Sequence, residues 1–514
     1  MKFLGTLTLF LMMVVLVACN SSTTENSSQG TQDQETSTDK NVIMGIRSSV
    51  LSLDPANYRD RVTEGVVRNI FDGLVSRDAT GQVVPMIAER WENPTPNEWI
   101  FYLRKDVTFH DGSQLTADDV VFTFERIITP GAINGDTSPR QGLVGPLTAI
   151  EKLDDYTVKF VFENPYPIFL KMLPHQQIVP KAYVEKVGDV EFANHPIGAG
   201  PFKFVDAKLD ERIVLERFDD YYGEVAKVKK LAFDVIPENS SRVAALQAGE
   251  VQRIHALTPT LADELKTQNN IEVKSVNGTR VTMIEMNVEK APFDDVRVRQ
   301  AMNHAIDMDK IVDSIFGEYA TRIAGSVLPG SFAENTDLTP YEYNPEKAKA
   351  LLAEAGYPDG FSVVLDTDDE QKEVAEAVAA ELRKIGIDAQ TRIWDAGVLQ
   401  DLLLKGERQM SINTWGNGSM DPFDLLNPKL KTKDRGNYSQ YSNPRVDELL
   451  TLAETEVDEE LRAQYYKEVQ QIVYDEAPWV FAYTVKEIEA SVAHLKNWEV
   501  YPDGMFFMPY VELE

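Results

Sequence analysis

The chain predicts a mixed α/β protein, and three observations carry that reading. Period-two alternation runs through residues 98–109 (EWIFYLRKDVTF) and 156–163 (YTVKFVFE), as in half-buried strands. Capping and stop residues bracket several apolar-periodic runs of helical length. The two kinds of segment interleave along the body, which excludes an all-helical or all-β architecture. The chain has 514 residues, 43% of them apolar. It can therefore bury a large core, and its length suits about three domains.

The elements follow in order. Thr116 opens TADDVVFTFERII with Asp119 three residues on, the spacing of a capping box. Asn344-Pro345 opens NPEKAKALLAEAG, with proline at the first helical position and Gly356 as terminator. A further helix over 373–385 stops at Gly386. Asn443-Pro444 opens a helical stretch reaching Tyr474, predicted as two helices broken near Val457-Asp458. The run QMSINT before Trp415 is β-rich, so Trp415 is placed at a strand end. No internal repeat of 20–50 residues is visible.

The N-terminus is expected to lie outside this fold. Residues 1–18 combine Lys2 with an apolar stretch too short for a membrane span, as in a signal peptide. The stretch ends Leu16-Val17-Ala18-Cys19, which resembles a bacterial lipobox, so Cys19 is the expected lipidation site. From Asn20 to Lys40 there is no aliphatic or aromatic residue to offset ordering entropy. Residues 19–40 therefore read as a disordered tether, with a root-mean-square span of about 25 Å. No later stretch approaches 18 continuous apolar residues.

Charge and motifs narrow the function. The formal net charge is −31, from 51 Lys and Arg against 82 Asp and Glu. That balance argues against nucleic acid and against an anionic lipid surface as partner. Cys19 is the single cysteine, which rules out an intrachain disulfide and a cysteine zinc site. The six histidines carry no helical metal-ligand spacing. Nucleophile-elbow, Walker and zinc-protease motifs are absent. Gly198-Ala199-Gly200-Pro201 lacks a third glycine, and Pro201 lacks an N–H, so it reads as a tight turn rather than a phosphate loop. The Asp-Asp pairs at 118, 154, 219 and 294 read as caps and turns, since sequence neighbours do not face each other on a helix. His110 reads as a turn residue. No catalytic site, cofactor or metal is expected, and binding is favoured over catalysis.

Six stretches in order resemble the family 5 extracellular solute-binding proteins of ABC transporters, the oligopeptide-, dipeptide-, glutathione- and nickel-binding type. They are Leu53-Asp54-Pro55 with FDGLVSRDATGQVVPMIAERWE, then WIFYLRKDVTFHDGSQLTADDVVFTFER, HPIGAGPFKF, MNVEKAPFDDVRVRQAMNHAIDMDKIVDSIFG, YNPEKAKALLAEAGYPDG and TWGNGSMDP. The resemblance implies a two-lobed periplasmic-binding-protein-like fold of class II type with an extra α/β subdomain. It divides the body into one lobe of 41–80, 198–277 and 488–514, an extra subdomain of 81–197 and a second lobe of 278–487.

The implied function is a lipid-anchored receptor on the extracytoplasmic face of the cell membrane. It would pass a peptide or peptide-like solute to ABC permease subunits, without making or breaking a bond, and is expected to be a monomer. A receptor for a nickel or other metal chelate is the alternative, and an anchored extracellular hydrolase is the alternative of another class. The resemblance places Trp415 in the interlobe cavity, followed by Asn417 and Gly418. Peptide binders of the family carry at the position of Gly418 an Asp that pairs with the ligand's α-amine. Its absence here weighs against ordinary N-terminal recognition, because a buried ammonium without a partner is costly. Arg59, Arg140 and Arg435 fall in segments that line the cavity in relatives, and a guanidinium fork suits carboxylates. His175 borders the same region, and Asp421-Pro422 reads as structural.

Overall fold

The computed structural model describes residues 40–514. The expected signal peptide, the lipidation position Cys19 and all of the tether except Lys40 lie outside the described residues. Among those residues no helix is long and apolar enough to cross a membrane.

An eleven-stranded mixed sheet runs through the body. Its order is Asp388–Trp394, Ser362–Asp368, Met410–Gly416, Ile271–Met286, Trp479–Val492, Arg253–Ile254, Asn41–Ile46, Lys230–Val235, Arg212–Arg217 and Phe202–Lys208, with Ala320–Arg322 added beside Trp479–Val492. Parallel pairs occur at both flanks, Asn41–Ile46 with Lys230–Val235 and Ser362–Asp368 with Asp388–Trp394. The antiparallel strands Ile271–Met286 and Trp479–Val492 join the flanks. Their register holds from Ile271↔Val492 to Asn277↔Lys486 and resumes at Val281↔Thr484, so three residues oppose one in between. Such a bulge bends and twists the strand that carries it. Gly278 sits there because a Cβ would lie 2.5 Å from the Val485 carbonyl oxygen.

A separate four-stranded antiparallel sheet is ordered Ala88–Thr95, Glu98–Leu103, Thr157–Phe162, Leu147–Asp154. The strand expected over 98–109 ends at Leu103. Beyond it Arg104 grips Asp106 at 2.7 and 3.0 Å and the chain turns. Val107 and Phe109 remain fully buried, so the alternation there comes from apolar plugs on a loop rather than from a strand.

The caps read from sequence hold. Thr116 and Asp119 form the capping box of helix Ala117–Ile128. Asn344 caps Pro345–Glu354, and Gly356 follows at φ +93°. The long stretch after Asn443 splits into Pro444–Thr455 and Glu459–Glu476, with Asp458 as the second N-cap. The Gly198-Ala199-Gly200 turn lies against the backbone at Ile70, where a Cβ on Gly198 would meet the Ile70 oxygen at 2.0 Å. His110 fastens that turn. Its Nδ1 accepts the Gly198 N–H at 3.2 Å and its Nε2–H donates to the Gly200 carbonyl at 2.9 Å. Burial pushes the imidazole down to about 4, which keeps the neutral tautomer this clamp needs.

Four apolar clusters hold these layers among the described residues. Phe233, Phe71 and Trp498 belong to one, and Phe101, Phe124, Phe160 and Phe169 to a second behind the four-stranded sheet. Met302, Leu365 and Leu382 centre a third, and Leu426, Leu449, Tyr466 and Trp479 a fourth. Each fully buried side chain of this size contributes about 1.5–3 kcal/mol of transfer free energy.

Candidate functional site

The site starts from the loop after strand Asn41–Ile46. Asp54, 1% exposed, takes a two-pronged contact from Arg126 at 2.7 and 3.2 Å, which pins that loop. Asp60 then caps helix Arg61–Val67 by accepting the Thr63 N–H at 3.0 Å. Arg59 directly precedes this cap and is exposed. One turn into the helix, Glu64 points inward and is buried.

Glu64 organises a polar layer. Its Oε1 accepts from His175 Nδ1 at 2.7 Å, and its Oε2 from Arg140 Nη2 at 3.3 Å. Burial alone raises the Glu64 carboxyl. The His175 and Arg140 charges outweigh it and hold the group well below the usual carboxylate range. Arg140 also donates to the His175 carbonyl and lies 4.6 Å from the Tyr58 ring centroid. With Nδ1–H spent on Glu64, the other ring nitrogen of His175 faces Gly418. A Cβ on that glycine would stand 3.5 Å from His175 Nε2.

The opposite wall comes from strand Met410–Gly416 and the helix after it. Trp415 ends that strand, and its indole N–H donates to the Asp424 carbonyl at 2.8 Å, which fixes the ring. The Arg435 guanidinium lies 5.0 Å from the ring centroid. Asp421 caps helix Pro422–Leu430, receives Arg462 at 2.6 and 2.9 Å and Lys171 at 2.9 Å, and is wholly buried. Burial raises its carboxyl, but these cations pull it below its ordinary value. All its acceptor capacity is spent inside the fold.

Arg59, Arg140, His175, Trp415, Gly418 and Arg435 line one cavity of about 300 Å³, together with Glu64 and Asp424. Asn417 does not. It is fully buried, its N–H donates to the Thr279 carbonyl at 2.8 Å, and its side-chain oxygen accepts from Ser419. The expectation that Arg140 offers a free fork also fails in this geometry. It is 1% exposed and committed to Glu64 and His175, so it positions those groups instead. Arg59 and Arg435 differ. Among the described residues neither guanidinium has a hydrogen-bond or ion-pair partner. Although the residue is exposed, desolvation of its guanidinium by the surrounding protein, then the Arg435 charge, lowers the Arg59 pKa, and Asp424 offsets part of this.

Two neighbouring cavities extend the space. One of about 170 Å³ shares Arg59, Asp424 and Arg435, and one of about 370 Å³ shares Arg61, Trp415 and Gly416. The 300 Å³ cavity contains no Ser, Thr, Cys or Lys among its lining residues, so no hydroxyl, thiol or amine nucleophile lines it beside the His175–Glu64 pair. It presents an aromatic wall, Trp415, and two guanidinia, Arg59 and Arg435, without hydrogen-bond or ion-pair partners among the described residues.

Glu64 and Asp424 were missed by sequence reasoning. The signal for Glu64 was a lone acid inside the apolar run RVTEGVV. Asp424 falls three residues after the N-cap Asp421, where a carboxylate serves the helix end and looks like nothing more.

The model of the bacterial extracellular solute-binding proteins, family 5, matches residues 82–437. The chain is 31% identical to the heme-binding protein A of Haemophilus influenzae, over 93% of each. It is 28% identical to the glutathione-binding protein GsiB of Pectobacterium atrosepticum, over 91% of this chain and 93% of that one. It superposes on the periplasmic binding protein DppA of Helicobacter pylori in complex with the peptide STSA, with a TM-score of 0.81 at 28% identity, over 93% of this chain and 98% of that one.

Proposed function

The chain belongs to the family 5 bacterial extracellular solute-binding proteins, and from that premise we propose that it captures a small peptide-like solute rich in carboxylates and delivers it to the permease of an ABC importer. One observation carries the reading. Two guanidinia, Arg59 and Arg435, face a cavity beside Trp415 without a hydrogen-bond or ion-pair partner among the described residues, in a chain of net charge −31. A protein this acidic repels anions at long range, so a local cationic pair is a selective feature of the site. Glutathione and heme, for which two relatives are named, both carry carboxylates. Gly418 supplies no carboxylate for a free α-amine, and His175, held by Glu64, occupies the space beside it.

The solute would lie between a lobe of 41–80, 198–277 and 488–514 and a lobe of 278–487, with 81–197 as the extra subdomain. The bulge at Gly278 is the natural place for the lobes to bend. The receptor would act as a monomer on the outer face of the membrane, held by a lipid on Cys19 through the tether. Replacing Cys19 with Ser and fractionating the cells checks the anchor: the variant should leave the membrane fraction, and a variant that stays there quantitatively overturns it.

Native mass spectrometry of protein purified from its own host identifies the solute class. Calorimetry with glutathione and short acidic peptides then tests the recognition. N-acetylation should leave affinity within about twofold, whereas methyl esterification of the carboxylates should weaken it at least about tenfold. The reverse pattern returns the protein to the ordinary amine-anchored peptide receptors. Binding that requires added nickel favours the metal-chelate reading instead.

A further inference from the structure

We propose that the chain carries a second oxyanion subsite, in a cavity of about 350 Å³ at the C-terminal ends of the strands Asn41–Ile46, Lys230–Val235 and Arg253–Ile254, where Arg47 and Lys486 receive a carboxylate or phosphate group beside the buried charge of Arg242. This cavity does not contain Trp415, Arg59 or Arg435.

The charges in its lining point to an anion. Arg47, Arg242, Arg280 and Lys486 face Glu370 and Glu487. Both carboxylates are engaged, Glu370 by Arg280 and Glu487 by Arg61 at 3.9 Å. The surplus cations are therefore Arg47, Arg242 and Lys486. Two helices also begin at this wall, Asn239–Ala248 and Pro259–Lys266. Their N-caps, Glu238 and Thr258, make no side-chain cap bond. Their first N–H groups add partial positive charge to the same space.

Arg242 is an independent observation that points to an anion at this wall. It is 1% exposed, and its terminal nitrogens donate only to neutral acceptors: the carbonyls of Ile236 at 2.8 Å, Pro237 at 2.6 Å and Ala256 at 3.2 Å, and the Asn239 side chain. Among the described residues its Nε has no hydrogen-bond partner. Burial, then the Arg47 charge, brings this guanidinium down to about 10, with Glu238 compensating in part. A buried cation with no carboxylate in contact gains most from an anion beside it. The volume suits a small acid. Arg280 and Glu370 line both this cavity and the 370 Å³ one beside Trp415. The oxyanion can therefore be a free acid or the far carboxylate of a solute lying along Trp415.

The test uses the full chain with citrate and inorganic phosphate, titrated by calorimetry at constant ionic strength. Arg47→Gln and Lys486→Gln alter this cavity and not the one beside Trp415, so failure here is separable from failure of the peptide-solute reading. Wild type should bind at least one of them, and Arg47→Gln and Lys486→Gln should each weaken that binding about tenfold. Both side chains lie outside the apolar clusters, so these variants should fold, and unchanged thermal unfolding confirms it. Lys349→Gln, at an exposed position that lines neither cavity, should stay within about twofold of wild type. No binding by wild type, or equal binding by Arg47→Gln, overturns the subsite. Competition by glutathione would assign the oxyanion to the captured solute, and simultaneous binding to a separate small acid.

Discussion

Arg59 and Arg435 sit in the cavity wall without a hydrogen-bond or ion-pair partner among the described residues, whereas Arg140 and Arg462 are locked into carboxylates. The two classes should respond oppositely to mutation. Arg59→Ala and Arg435→Ala should cost about 2–5 kcal/mol of solute binding each, while leaving folding stability within about 0.5 kcal/mol. Trp415→Ala should cost at least about 2 kcal/mol of binding. Calorimetry and urea unfolding on the same preparations read both quantities, and wild-type binding by all three variants would show the cavity to be misplaced. A second residue-scale expectation concerns Asp72, 1% exposed, whose Oδ2 accepts the hydroxyls of Tyr222 at 2.8 Å and Tyr221 at 2.9 Å. Burial pushes its carboxyl up to about 7, against the pull of the two tyrosines and of Arg68. A raised folded-state value means the stabilising contribution is present below the unfolded value near 4 and is lost as pH rises towards 7. Asp72→Asn, which keeps an acceptor without the charge, should remove that slope. Wild type should lose roughly 1–3 kcal/mol relative to the variant between about pH 4 and pH 7. Parallel curves in urea would contradict this.

At the scale of elements, helix ends were legible because capping is local chemistry: Thr116 with Asp119, Asn344 and Asp458 all act within four residues of themselves. The bulge between the joining strands was not, because nothing near Gly278 in sequence announces that Val485 will lie against it. Gly278→Ala should force the strands apart or distort the bulge. A cost of about 1–3 kcal/mol is expected, of the size seen for overpacking. Thermal unfolding reads the cost, and scattering with and without solute shows whether bending has been impaired as well. A variant as stable as wild type would mean that the bulge relaxes freely.

For the whole molecule, a cleft that closes on its solute should be more compact and more stable when loaded. At solute a hundredfold above Kd the expected stabilisation is about 2.7 kcal/mol. Small-angle scattering should show a smaller radius of gyration with solute bound. An unchanged radius together with the full thermal shift would mean that the lobes are already closed when empty. The contact of Lys171 with Asp421 and that of Arg77 with the Gly418 carbonyl both tie residues 75–172 to the segment after Trp415.

By itself the sequence determined the α/β class, the helix boundaries and the family, since alternation, caps and ordered motifs are properties of neighbouring residues. It also singled out Trp415, Gly418, Arg59, Arg140, His175 and Arg435, which the fold brings to one cavity. Tertiary structure alone decided which of these side chains are free to act. Arg140 and Arg59 look alike as letters in polar loops. One is buried against Glu64 from 76 residues away, and the other has no hydrogen-bond or ion-pair partner among the described residues. Asn417 follows Trp415 closely, yet it turns into the core to serve Thr279 and Ser419. Whether a cation is spent inside the protein or left for a ligand depends on long-range packing and local dielectric, and neither is written in the residues beside it.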